Sequence, residues 1–568
     1  MHWIDWTVLF GTLLFITIYG IYKTRGIKNE AGYLASDKNT PWWAIGLSIM
    51  ATQASAITFL STPGLGYQTG LEFVQFYFGL PIAMIIIAFA FVPLYHRLKV
   101  YTAYEFLETR FDGKTRLLTA SLFLVQRGLA AGITIYAPSI ILSQILGLPL
   151  HINILTIGIL VILYTVSGGT NAVTQTHKQQ MAVIFVGLIV AFVFLFRGLT
   201  EHLNTDQIME VAAVGNRLKA IDWNFDLREK YNVWSGLIAG TFLMLSYFGT
   251  DQSQVQRYIS GKSVKEIRTG LYFNAILKIP MQFFILMLGV FVFVFYQVNK
   301  PPVHFDHLAV EHVASSSYAE DFNILQNQKE ALFETQKKLM QDDFDAYTTQ
   351  KEAFASEKTI LDAEISELIK VSGYNAPVEK ESDFVFITFV LDFLPIGLIG
   401  LLMAVIFSAA MSSTSAELNA LATTTVVDFY KNLTPEKKQK NILHVSKWMT
   451  AGWGMFAIAF ALMAQFLDSL VEAVNILGSL FYGTVLGVFL VGFYAKKIRG
   501  NAVFIAAIIS EAVVLILYFF DKKLSALIGF DISVGYLWYN LIAAVLVFVL
   551  SYVVQNISRN KGQTPVIA

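Results

Sequence analysis

Phe407-Ser-Ala-Ala-Met-Ser-Ser-Thr-Ser-Ala-Glu-Leu-Asn-Ala-Leu-Ala-Thr-Thr-Thr425 carries a long apolar run into a dense series of small hydroxyl residues. Ala409, Ser412 and Ser413 stand at i, i+3 and i+4, so on a helix the Ala409 carbonyl and two hydroxyls share one face. Neutral oxygens gathered in a dry bundle suit a hard monovalent cation, because hard cations take oxygen ligands. Small residues also let membrane helices approach closely, and taken alone the stretch reads more simply as packing.

Of the 568 residues, 55% are hydrophobic and 14% charged, and the mean hydropathy is +0.56. Apolar runs recur along nearly the whole length, which reads as an all-α membrane protein. Helices satisfy their backbone internally, whereas a barrel would show short alternating segments. Zero net charge argues against a nucleic-acid partner, and the absence of cysteine excludes thiol chemistry, disulfides and thiolate metal sites. The first apolar run reaches Tyr22 without a small-residue cleavage site and is expected to stay as a span.

About thirteen transmembrane helices are expected, near 5–23, 42–62, 72–95, 117–146, 152–168, 178–198, 235–250, 267–297, 388–428, 443–467, 473–497, 501–520 and 533–555. Short loops on one side carry Lys23, Arg25, Lys28 and Lys38; Arg97, Lys99, Arg110, Lys114 and Arg116; Arg257, Lys262, Lys265 and Arg268; Lys431, Lys437, Lys438, Lys440 and Lys447; and Lys496, Lys497 and Arg499. That side is expected to be cytoplasmic, because basic loops stay inside. The alternate loops at 61–71, 147–151 and 468–472 hold no Lys or Arg, so the N-terminus is expected outside and the C-terminus inside. Residues 199–234 form a polar outside loop, and 299–385 an extracytoplasmic insert. Within the insert, Phe322, Leu325, Leu332, Leu339, Phe354, Leu361, Ile365 and Leu368 recur near helical spacing and predict an amphipathic hairpin or coiled coil. A protein partner could dock there. His304, His307 and His312 precede it and read as solvated loop residues rather than a metal site.

Charge inside a span marks a functional site or a paired structural one. Lys278, in Asn274-Ala-Ile-Leu-Lys-Ile-Pro280, and Arg127, in Val125-Gln-Arg-Gly128, both lie within spans, each either ion-paired or facing a wet cavity. Asp251-Gln252 and Gln256-Arg257 read as the interfacial end of the seventh span, or as hinge bonding. The second span, Ser48-Ile-Met-Ala-Thr-Gln-Ala-Ser-Ala-Ile-Thr-Phe-Leu-Ser-Thr-Pro-Gly-Leu-Gly66, has few bulky residues in its middle. It is expected to unwind there and free its carbonyls, as discontinuous transporter helices do, and to end in its tail of Pro63, Gly64 and Gly66.

This second span with Tyr67 after it, Tyr164-Thr-Val-Ser-Gly-Gly169, Gly249-Thr-Asp-Gln-Ser-Gln-Val-Gln-Arg257, Leu277-Lys-Ile-Pro280 and the Ser412-Ser413 to Asn419 to Asp428-Phe-Tyr-Lys431 segment together resemble the sodium/solute symporter family, over about 1–298 and 388–500. The resemblance implies a LeuT-like fold with two inverted five-helix repeats, 42–198 and 235–497. They are flanked by 1–41, the first helix and a cytoplasmic loop, and 498–568, two further helices and a short tail. It implies sodium at the carbonyls of Ala51, Ala54 and Ala409 and the hydroxyls of Ser412 and Ser413. It implies solute contacts at Gln53, Ser55, Thr58, Tyr77 or nearby Gln75, Arg127, Lys278 and Asn475, with Tyr247 as a gate. Lys278 matches a lysine that contacts sugar in sodium/galactose members, and Arg127 falls near an arginine that sialic-acid-transporting relatives use for the carboxylate.

One departure bears on stoichiometry. Where many members carry Trp-Thr-Asp after the double-glycine turn, this chain has Gln175, Thr176 and His177, and the accompanying serine pair becomes Ser415-Ala416. The second cation site is therefore expected to be absent. The chain is expected to be no enzyme but a sodium symporter in a plasma membrane, of the bacterial inner-membrane kind. Its partners are Na+, the lipid bilayer and a small solute, sugar-like or of the sialic acid type. A small carboxylate is the alternative solute, and a solute sensor on the same scaffold the alternative role.

Overall fold

A computed structural model describes residues 1–24, 33–34, 40–374, 381–435, 439, 441–464, 470–529 and 531–561. The loop cations Arg25, Lys28, Lys38, Lys437, Lys438 and Lys440, the first two residues of the loop at 468–472, the insert's end at 375–380 and the tail beyond 561 lie outside the described residues. Among the described residues the architecture is helical without strands, as lipid demands of a backbone that finds no water.

The chain begins with α1 (Trp3–Thr24), followed by α2 (Trp42–Gln53) and α3 (Ala56–Thr69), which meet at a 65° bend. The bend is local: Ala54 (φ −82°, ψ 80°) and Ser55 (φ −82°, ψ 172°) leave the helical region. Then come α4 (Glu72–Leu98), α5 (Gly113–Leu146) and α6 (Leu150–Thr200), kinked at Gly169 with φ 57°. A Cβ at Gly169 would fall 2.5 Å from the Tyr33 ring, so both conformation and space require glycine. After α7 (Ser235–Gly249), α8 (Gln252–Tyr258) and α9 (Val264–Val298) stand two hairpin helices, α10 (Ala319–Asp342) and α11 (Phe344–Val371). The chain closes with α12 (Glu381–Phe393), α13 (Leu398–Leu433), α14 (Ile442–Met463), α15 (Leu470–Tyr494), α16 (Gly500–Ile528) and α17 (Trp538–Lys561).

Among the described residues nine helices are long and apolar enough to cross a membrane, ten with the bent α2–α3 pair, beside the shorter apolar Leu150–Leu163 and Ser235–Gly249. The count of about thirteen stays an expectation. Two readings are corrected. The single span expected at 388–428 is two helices, separated at Pro395 and Gly397 (φ 89°). Buried Asp5 of α1 caps the second of them, its Oδ1 accepting from the N–H of Gly397 (2.6 Å) and Gly400 (3.1 Å). Nor does α3 stop at Pro63: it runs on to Thr69 and ends at Gly70, φ 76°. Its glycines serve contact instead, since a Cβ on Gly64 would lie 1.7 Å from the Ser382 carbonyl oxygen of α12, and one on Gly66 2.3 Å from that of Leu286.

The insert is the expected hairpin, turning at Asp343, whose side chain accepts from the Ala346 N–H at 2.9 Å. Phe322, Leu361 and Ile365 are buried as expected, but Phe333, Met340 and Ile369 complete the seam while Leu325, Leu332, Leu339, Phe354 and Leu368 are only half-buried. The hairpin lies on the end of the bundle where α3 and α9 finish. Lys358 Nζ reaches the Tyr67 hydroxyl (3.3 Å) beyond α3's middle, and Gln336 Nε2 donates to Gln297 Oε1 of α9 (2.7 Å). His304 Nδ1 accepts from the Asp306 N–H (3.1 Å), and no cluster able to hold a metal occurs among the described residues.

Gly64→Ala is expected to push α12 from α3 and destabilise the protein by roughly 1–3 kcal/mol, the usual cost of overpacking. Gly11→Ala, where nothing lies within 4 Å, should leave thermal melting in detergent unchanged.

Candidate functional site

The bend between α2 and α3 faces the hydroxyl stretch of α13. Ser412 Oγ donates to the carbonyls of Ala51 (3.0 Å) and Ala409 (2.9 Å), and Ser413 Oγ donates to that of Ala409 (2.9 Å). The structure thus brings Ala51, Ala409, Ser412 and Ser413 together across the helix interface. With the hydroxyl hydrogens rotated away, the same oxygens form the neutral, all-oxygen set that a hard monovalent cation takes. Ala54 sits buried at the bend, its N–H donating to the Met50 carbonyl (2.7 Å), and among the described residues no hydrogen bond joins it to the serines.

His177 occupies the neighbouring position on α6. Its Nδ1 lies 2.8 Å from Ser48 Oγ and its Nε2 3.3 Å from the Ser412 carbonyl oxygen, which also accepts from Ser415 Oγ at 3.1 Å. The imidazole therefore bridges α2 and α13, and the methyl of Ala416 supplies no oxygen.

A cavity opens beside this set, lined by Gln53, Ser55, Thr58, Tyr77, Arg127, Tyr247, Ser413, Glu417, Asn475 and Tyr482. Six of the expected solute residues and the expected gate Tyr247 share it. Two do not. Gln75 is turned to the 199–234 loop, Nε2 donating to the Tyr231 carbonyl (3.0 Å) and Oε1 accepting from the Asp222 N–H (2.9 Å). Lys278 is fully buried behind Tyr77, Nζ 5.5 Å from the ring centroid, outside the cavity lining.

Arg127 reaches this wall already paired. Its Nη1 donates to Glu417 Oε1 (3.0 Å), its Nη2 contacts both Asp251 and the Tyr482 hydroxyl, and that hydroxyl donates to Asp251 Oδ2 (2.9 Å). One guanidinium thus holds two carboxylates, tying α5 to α13 and to the α7–α8 break. Asp251 and Arg257, read as interfacial, are both buried. Gln256 Nε2 donates to Thr170 Oγ1 (2.8 Å), Asn419 Oδ1 (3.0 Å) and Thr423 Oγ1 (3.1 Å), joining α8 to α6 and α13. Glu417 and Tyr482 were missed. The signal for Glu417 was available, because an acid one turn beyond Ser413 inside a span falls under the rule that singled out Arg127 and Lys278.

A helical membrane bundle whose broken helices meet at a cavity beside an all-oxygen cation set is the architecture of a secondary transporter. The model of the sodium:solute symporter family matches residues 33–318 and 366–510, and the chain belongs to that family of sodium-coupled transporters, which are not enzymes. Human sodium-coupled monocarboxylate transporter 2 is 26% identical over 490 residues, 85% of this chain and 67% of that one. The human sodium/iodide cotransporter is 33% identical over 257 residues, 45% and 40% of the two chains. A solved Na+-coupled sialic acid symporter in a substrate-bound outward-open state has a TM-score of 0.73 at 23% identity and covers 98% of both chains. The fold is accordingly the LeuT-like all-helical one.

Arg127→Met leaves Glu417 and Asp251 buried without their cation and should cost about 3–5 kcal/mol, the penalty for breaking a buried pair from one side. Arg127→Met combined with Glu417→Gln should recover part of it, read as thermal melting of the purified protein.

Proposed function

We propose that the protein carries a small organic solute into the cell together with one sodium ion. The observation that carries this reading is Ser413, which belongs at once to the cation set and to the cavity wall. An ion held there organises the wall a solute touches, so occupancy of either site favours the other, and coupling is that shared free energy. A membrane potential supplies about 2.3 kcal/mol per charge per 100 mV, ample to concentrate a solute severalfold. The reading also takes the basic loops to face the cytoplasm across a plasma membrane.

For the solute, the amide and hydroxyl groups of Gln53, Ser55, Thr58 and Asn475 suit a sugar-like molecule with several hydroxyls, the sialic acid type included. A second reading, a small carboxylate without a sugar ring, is favoured by the relative named as a monocarboxylate transporter. The prior pairing of Arg127 with two acids means that a solute carboxylate would have to compete for it.

The single-ion stoichiometry rests on His177 and Ala416 in place of oxygen ligands. In proteoliposomes an inward sodium gradient should drive concentrative uptake with a sodium Hill coefficient near one. Gradient-independent flux would indicate a channel, binding without flux a sensor, and a coefficient near two a second ion. Ser413→Ala should raise the sodium concentration for half-maximal uptake roughly tenfold, as loss of one ligand to an ion implies. An unchanged sodium dependence would remove the ion from this position.

A further inference from the structure

A second concavity opens on the lipid-facing side, between the basic-loop ends of α4 and α15. Its walls are apolar, with Ile85, Phe89, Phe106 and Phe493 prominent, and Ile85 and Phe89 are 52% and 61% exposed. Its floor is a fixed aromatic cluster, Phe493 packing edge-on against Phe91 (4.6 Å between centroids) and against Phe106 at 5.2 Å.

The rim is cationic without acids. Arg97 and Lys496 border the groove, both exposed, and no carboxylate lines it. Among the described residues neither is ion-paired. Arg110, at the same rim, donates to the carbonyls of Gly492 (3.1 Å) and Ala495 (2.9 Å) and has no acid either. Arg268 lies 4.7 Å over the Phe89 ring. Single interfacial Lys and Arg residues ordinarily snorkel to water and need no ligand. Several cations converging on one apolar concavity, with no acid among its walls, are a different arrangement. They match a molecule with apolar chains and an anionic head.

We infer that this groove is a binding site for an anionic glycerophospholipid, with an acyl chain along Ile85, Phe89 and Phe493 and the phosphate at Arg97 and Lys496. Its place gives it a consequence for transport. The two helices that form the groove also wall the solute cavity, α4 through Tyr77 and α15 through Asn475 and Tyr482. A lipid seated between their far ends holds the spacing of two cavity walls from the membrane side. Neither the sodium set nor the identity of the solute enters this inference.

The test uses the whole protein in nanodiscs and in vesicles of phosphatidylcholine, alone or with roughly a quarter phosphatidylglycerol, enough to saturate a site of this charge. Native mass spectrometry of protein released from the mixed discs should show one retained phosphatidylglycerol, and its melting temperature should exceed that in phosphatidylcholine. Inorganic phosphate added to phosphatidylcholine discs should not reproduce the shift, since it lacks the chain. The Arg97→Gln/Lys496→Gln double variant should lose retention by roughly tenfold or more, two interfacial cations being removed. Lys522→Gln/Lys523→Gln should not. Should the groove variant fold poorly, Phe89→Ser, which removes an exposed wall together with the ring under Arg268, reads the same retention. Equal retention of phosphatidylcholine and phosphatidylglycerol by the wild type, or undiminished retention in the groove variants, overturns the inference. Retention is read without any flux, so a failure of uptake would count against the proposed symport and not against the lipid site.

Discussion

A helix interrupted inside a bilayer leaves carbonyls that neither water nor its own next turn can satisfy, and in hydrocarbon each stranded group costs several kcal/mol. At the bend between α2 and α3 that burden falls on another helix. Ser412 reaches across to the Ala51 carbonyl, and Ser412 and Ser413 take up the Ala409 carbonyl on their own helix. From this follow several features of the molecule. The hydroxyl stretch must lie directly against the bend, so α13 is buried on nearly all sides. Asp5 of α1 must cap its start, because an N-terminus that begins at a positive-φ glycine has no helical predecessor. His177 then fixes α6 to the same pair of helices.

The ionic cluster around Arg127 solves a related problem in another way. Two carboxylates and a phenol surround one guanidinium on four separate segments, and desolvating such a group is expensive unless every partner is placed. Arg127, Glu417 and Tyr482 sit at the cavity wall, with Asp251 behind them. Moving the wall therefore breaks ionic contacts and not just apolar ones, and leaving any member buried without its partner is costly.

Much of this was legible in the chain. The weakened middle of the second span, the double-glycine turn at Gly169 and the hydroxyl face of Phe407–Thr425 all announce themselves locally, through residue size, backbone freedom and spacing. The division at Pro395–Gly397 did not. Hydropathy stays high across it, and a window average registers apolarity but not the direction of the chain. Pro63 misled for the opposite reason, since a proline well inside a membrane helix is tolerated when neighbours pack around it. Arg127 could be recognised as costly, but its partners lie 124 and 290 residues away in sequence, and no periodicity connects them. Lys278 was placed by motif alone. Its position along the helix matches, and in the structure its Nζ lies 5.5 Å from the Tyr77 ring centroid, outside the cavity lining.

The hairpin differs from the rest of the chain in place. The family model breaks off at 318 and resumes at 366, so most of α10 and α11 lies outside what the model describes. Its entry and exit are pinned side by side: the Tyr374 hydroxyl donates to Asp306 Oδ2 at 2.9 Å, and Glu381 accepts from the Phe305 N–H at 3.2 Å. A segment whose ends already touch adds little closure entropy to the fold that hosts it. Such a junction is a natural grafting point. Material can be gained, lost or exchanged there without shifting the register of any membrane helix, so the surface the hairpin presents can change while the helix bend and the serines of α13 keep their places.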